Sequence, residues 1–114
     1  MDTQTALLQS QVSDETLNTL VAQIRQVIDP KQIILFGSAA RGTLAKDSDL
    51  DILIVVPDNV NQRELRMLIR RNLRGFVYPV DILTITTSAL DKHKDNIGLI
   101  YHDVIREGRT LYAA

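Results

Sequence analysis

Five consecutive apolar residues, Ile52 to Val56, follow directly on Asp49-Leu50-Asp51. Side chains alternate sides along a strand, so an unbroken apolar run implies burial on both faces. Such a strand must lie inside a sheet that is covered on both sides, and the rest of the chain has to supply the cover. At 114 residues there is room for one domain of this kind.

The patterns around that strand, which is expected to span 49–56, fit the requirement. Leu17, Leu20, Val21, Ile24, Val27 and Ile28 recur at helical spacing over 14–28. Ser13 suits the N-cap of this helix, Asp14 and Glu15 its first turn, and Pro30 the chain just beyond it. Gln32 to Phe36 is a short strand closed by Gly37. Residues 61–74 form a helix with Leu65, Leu68, Ile69 and Leu73 on one stripe and Arg63, Arg66, Arg70 and Arg74 about opposite. The arginine stripe is either a solvated face or a surface for an acidic partner or nucleic acid. Val80 to Ile85 is a third strand. Ile97, Ile100, Tyr101, Val104 and Ile105 trace a last helix stopped by Gly108, and 110–112 adds a short edge strand. The expected fold is α/β (α+β): a small mixed β-sheet flanked by helices, as one domain over 13–114 behind a flexible arm over 1–12.

Charge and composition narrow the function. Thirteen basic against fourteen acidic residues leave a net charge of −1, so direct nucleic-acid binding through a bulk positive field is not expected. The absence of cysteine excludes disulfides, thiolate metal sites and a cysteine nucleophile. No apolar run approaches the length of a membrane helix, and the first twelve residues do not read as a secretory signal. A cytoplasmic protein without a membrane partner is expected.

Two short motifs carry the chemistry. Gly37-Ser38-Ala39-Ala40-Arg41-Gly42 follows a strand directly. As a plain turn it needs no further role. As a phosphate cradle, Gly37 lets backbone N–H groups approach an anion, and Ser38 adds a hydroxyl donor. Arg41 is then a phosphate contact, unless it is a solvated loop charge. The second motif, Ser48-Asp49-Leu50-Asp51, opens the next strand. Ser48 either caps that turn or joins the nucleotide side of the site. Asp49 and Asp51, two apart, project to one face and repel each other unless a cation lies between them. Oxygen-only ligands favour Mg²⁺, Mn²⁺ or Ca²⁺, and Mg²⁺ commonly combines one or two carboxylates with substrate phosphates. Asp81, between Val80 and Ile82, is a lone acid in an apolar strand and needs either a metal or an arginine. If its strand lies beside the second, three carboxylates gather as in a two-metal phosphoryl-transfer site.

Gly-Ser-x-x-Arg-Gly, then Ser-Asp-x-Asp, then a single later Asp on a strand resembles the nucleotidyltransferase superfamily typified by DNA polymerase beta. The resemblance covers residues ~14–112, and the short chain is similar to the minimal nucleotidyltransferase domains found beside HEPN proteins. It implies a polymerase beta-like fold and nucleotide binding by Gly37 and Ser38, with Arg41 and Ser48 as further candidates. It also implies two Mg²⁺ ions held by Asp49, Asp51 and Asp81, with Asp81 helping to activate the acceptor hydroxyl. Ala39 stands where the family often has a larger residue. Larger members add a helical domain that positions the acceptor, and this chain has only 33 residues after Asp81. The acceptor side is therefore expected from another chain, a HEPN-type toxin or a second copy of this one. By the same resemblance the reaction is transfer of AMP from ATP to a tyrosine of the toxin, which makes the chain an antitoxin. Two other readings remain open: a non-catalytic subunit that neutralises its partner by contact, and a transferase acting on a small molecule such as an aminoglycoside.

Overall fold

The computed structural model describes residues 12–42, 49–93, 104 and 106–114. The elements are α1 (Asp14–Arg25), β1 (Gln32–Phe36), α2 (Gly37–Ala40), β2 (Leu50–Val56), α3 (Gln62–Asn72), β3 (Val80–Thr86), α4 (Thr87–His93) and β4 (Arg109–Ala113). The four strands form one sheet in the order β3-β2-β1-β4. β1 runs antiparallel to β2 and β4, whereas β3 runs parallel to β2. The sheet is mixed, as expected. No helix among the described residues is long and apolar enough to cross a membrane.

β2 meets the requirement that its sequence imposes. Leu50, Ile52, Ile54 and Val56 belong to one core cluster, with Leu17, Leu20 and Ile24 of α1 and Leu65 and Ile69 of α3. Leu53 and Val55 belong to a second cluster on the other face, with Ile34, Ile85 and Val104. Burying a side chain of this size contributes roughly 1.5–3 kcal/mol, and β2 alone supplies six of the nineteen buried apolar side chains among the described residues.

The helices begin where local chemistry starts them. Ser13 Oγ accepts from the Thr16 N–H at 3.1 Å, and Asn61 Oδ1 accepts from the Glu64 N–H at 3.0 Å, each satisfying a donor with no partner inside its helix. Val12, placed in the arm by sequence, is buried with Leu17 in the first core cluster. Those two positions flank the cap as a hydrophobic staple does, so the domain takes in the last residue of the arm. Residues 1–11 lie outside the described residues.

Four expectations need correction. α1 ends at Arg25, with Val27 and Ile28 in the turn that follows. Leu68 is 42% exposed, because Leu65, Ile69 and Leu73 set the rotation of α3 and leave it outside. Arg66 is not a solvated charge: its Nη1 donates to Thr84 Oγ1 on β3 at 2.7 Å, and that hydroxyl donates to Gln62 Oε1 at 2.9 Å. α4 carries no expected pattern. Of the last predicted helix, Val104, Arg106 and Glu107 are helical, while Ile97, Ile100, Tyr101 and Ile105 lie outside the described residues. It does stop at Gly108, whose N–H donates to the Val104 carbonyl at 2.8 Å. The glycine is needed there for space rather than for a left-handed φ: a Cβ would collide with the Val104 carbonyl and with Ile34.

Candidate active site

The site is built where β1 ends and β2 and β3 begin. Antiparallel pairing sets Phe36 opposite Asp51, and parallel pairing sets Asp51 opposite Asp81. Adjacent strands lie about 4.8 Å apart and same-register side chains share a face, so the two carboxylates stand side by side. They continue the row of Leu53 and Val55 past the end of the second core cluster. Helices α1 and α3 pack on the opposite face. A hydrogen bond from the Leu50 N–H to the Pro79 carbonyl, 2.9 Å, fastens the start of this parallel ladder.

Asp49 precedes the first residue of β2 and is exposed. Asp81 is exposed too, as the second residue of an edge strand, so the argument from a buried lone acid does not apply to it. What stands in its place is register. Among the described residues no three acidic or histidine side chains form a ready coordination sphere. Asp51 and Asp81 face each other, and Asp49 flanks them from outside the strand.

The electrostatics of Asp51 follow from this geometry. Partial burial raises its pKa, the facing Asp81 and then Asp49 raise it further, and Arg41 pulls it back down. Arg41 is thus close enough to act on the carboxylate, which the choice between phosphate contact and loop charge left open.

Gly37 leaves β1 directly above Asp51, with φ +71°. A Cβ at this position would collide with the Asp51 carboxylate. The backbone of the Gly-Ser turn therefore approaches the acid as only glycine allows. Gly42, φ +73°, ends the single turn of α2. Behind this loop lies a polar cavity of about 250 Å³ lined by Asp14, Ala39, Arg41, Gly42 and Arg109, among others. Arg109 Nη2 bonds Asp14 Oδ1 at 3.0 Å across it. Sequence reading missed Arg109 here, and no local signal pointed to it, because 68 positions separate it from Arg41. Ser48 lies outside the described residues.

A hard divalent cation fits this arrangement. The donors are all oxygen, the acids repel one another without a cation, and Gly37 leaves open the space a Cβ would fill. Mg²⁺ needs only one or two carboxylates when phosphates complete its sphere, so a facing pair suffices.

The raised pKa has a measurable sign. Folding raises the pKa of Asp51, so the associated stability is present below the ordinary carboxylate range and is lost as pH rises through the raised value. At neutral pH in EDTA, Asp51→Asn is expected to melt above the wild type. Mg²⁺ is expected to raise the melting temperature of the wild type and to have little effect on the variant. Scanning calorimetry checks both, and a variant melting below the wild type in EDTA would contradict the repulsion.

The nucleotidyltransferase domain family matches residues 15–100. A Methanocaldococcus jannaschii protein, whose name provisionally assigns it as a protein adenylyltransferase, is 37% identical over 101 residues, covering 86% of this chain and 92% of that protein. A crystal structure of a toxin–antitoxin with AMP-PNP matches with a TM-score of 0.65 at 21% identity, covering 86% of this chain and 73% of the other, a likeness of fold.

Proposed function

We propose, for a chain that belongs to the nucleotidyltransferase domain family, that it transfers AMP from ATP to a tyrosine hydroxyl of a HEPN-type toxin and so acts in the cytoplasm as the antitoxin of a pair. The observation that carries this reading is the in-register pairing of Asp51 with Asp81 beneath the Gly37 turn. The name of the Methanocaldococcus jannaschii relative supports a protein acceptor, and the toxin–antitoxin likeness supports a toxin partner.

In this reading the backbone at Gly37 and Ser38 receives the triphosphate, with Arg41 beside it. Asp49 and Asp51, joined by Asp81 on one side, would hold two Mg²⁺ ions, which supply charge screening for the phosphates and acidify the acceptor hydroxyl. The acceptor oxygen forms a bond to the α-phosphorus, the α–β phosphoanhydride bond breaks, and pyrophosphate leaves. Asp81, the most open of the strand-borne acids, accepts the hydroxyl proton. Its exposure suits this role, since an acceptor from another chain must reach it.

The test is incubation with α-labelled ATP, Mg²⁺ and the protein encoded by the adjacent reading frame, followed by mass spectrometry. Added AMP on a tyrosine of that protein is expected. Tight ATP binding with no AMP transferred to it would overturn the reading.

A further inference from the structure

Helix α3 carries charge that the fold leaves unused. Five of the nine arginines fall at 63, 66, 70, 71 and 74, with Glu64 the only acid in that stretch of a chain whose net charge is −1. Arg66 is spent on Thr84. Arg63, Arg70, Arg71 and Arg74 are exposed, and none is in an ion pair among the described residues.

Apolar surface is interleaved with them. At 100° per residue, Met67 falls between Arg63 and Arg71, about 40° from each, with Leu68 on the flank beyond Arg71. Met67 at 52%, Leu68 at 42% and Val77 at 72% are the large apolar side chains exposed among the described residues, and all three lie on α3 or just past it. Next to them a cavity of about 450 Å³ opens between the end of α3 and β3, lined by Arg70, Leu73, Phe76, Val77, Tyr78 and Val80, among others. Solvated arginines alone would be an ordinary helix face. Exposed Met67 and Val77, and a cavity of mixed polar and apolar lining set among the arginines, leave unfilled contacts of both kinds on this surface.

We infer that this face docks an acidic, amphipathic segment of a partner protein. Its carboxylates would meet the arginine forks, and one of its apolar side chains would enter the cavity against Leu73 and Val77. A nucleic acid fits less well. Phosphates would satisfy the arginines but not the exposed Met67 and Val77, and the net charge of −1 opposes a long polyanion. Phe76 and Tyr78 are half-buried and offer no open stacking platform. Val80 and Ile82 line the cavity and flank Asp81 on β3, so their side chains point away from the carboxylates. A segment seated there leaves the active face open. The inference does not depend on the transferase reading, because binding is scored without nucleotide.

The experiment uses fluorescence anisotropy with three labelled probes. One is a synthetic helical peptide with glutamates on one face and leucine and phenylalanine on the other. The second replaces each glutamate with lysine, and the third is single-stranded RNA. The acidic peptide is expected to bind, and Arg70→Glu/Arg74→Glu is expected to weaken it about tenfold or more, as is high salt. Val77→Ser, which leaves the charges alone, is expected to weaken it too. ATP affinity should be unchanged in all variants, which separates this surface from the nucleotide site. No binding of the acidic peptide, equal binding of the lysine peptide, tighter binding of RNA, or indifference to the charge reversal would each overturn the inference.

Discussion

Asp81→Asn is expected to keep ATP affinity near the wild-type value while AMP transfer falls by about 10²–10⁴. The substitution preserves shape and removes one charge. Asp81 is exposed on an edge strand and outside both core clusters, so the fold should not respond. Asp49 and Asp51 would still hold the nucleotide's cation, whereas the proton of the acceptor hydroxyl would lose its destination. A rate lost with binding retained marks an interaction made in the transition state. Asp51→Asn is the contrast, since it should lower Mg²⁺-dependent ATP affinity and rate together. The measurements are calorimetric ATP affinity and AMP-transfer rate for both variants. Transfer at the wild-type rate in Asp81→Asn would make Asp81 structural and remove the three-acid mechanism.

Gly37→Ala is expected to be the most damaging single change outside the acids. A non-glycine residue at φ +71° costs on the order of 1–2 kcal/mol in backbone strain alone. The added Cβ would also collide with the Asp51 carboxylate and push it away from Asp81. Transfer should fall by about 10² or more, the scale set when reacting groups are displaced by about an ångström. Gly75→Ala separates the two causes. Gly75 has φ +82°, but a Cβ there would meet nothing within 4 Å. It should therefore lose stability by a similar amount and keep full transfer activity. Thermal melts and transfer assays on the pair decide the matter, and equal loss of activity in both would reduce Gly37 to a turn residue.

Much of this protein was legible from local pattern, for definite reasons. The run from Ile52 to Val56 demanded cover on both sides, and β2 has it. Ser13 capped α1 because its hydroxyl can reach the Thr16 N–H whatever the rest of the chain does. Gly37 and the acids at 49, 51 and 81 were recognisable because few residue types can turn a strand end tightly or present bare carboxylates on an apolar strand. Period, capping and turn chemistry act over a few residues, so sequence alone carries them.

The rest was decided by partners distant in the chain. Helical period put Leu68 in the apolar stripe, but packing against the sheet chose the face of Leu65 and Ile69 and left it outside. Arg66 looked like its neighbours in the stripe until Thr84 took it inward. α4 has little helical pattern of its own. Thr86 Oγ1 caps its start locally by accepting from the Ala89 N–H at 3.3 Å, but what places it is Thr87 Oγ1 donating to the Val56 carbonyl at 3.2 Å and the Ser88 N–H donating to Asp58 Oδ1 at 3.0 Å, both across about thirty residues. The facing of Asp51 and Asp81 belongs to the same kind. One step in the β2–β3 register would carry Asp81 to the opposite face, because side chains alternate with a period of two. Sequence by itself determined which residues could do the chemistry. Only strand pairing, set by the burial of Ile52 through Val56 against the whole domain, decided that they meet.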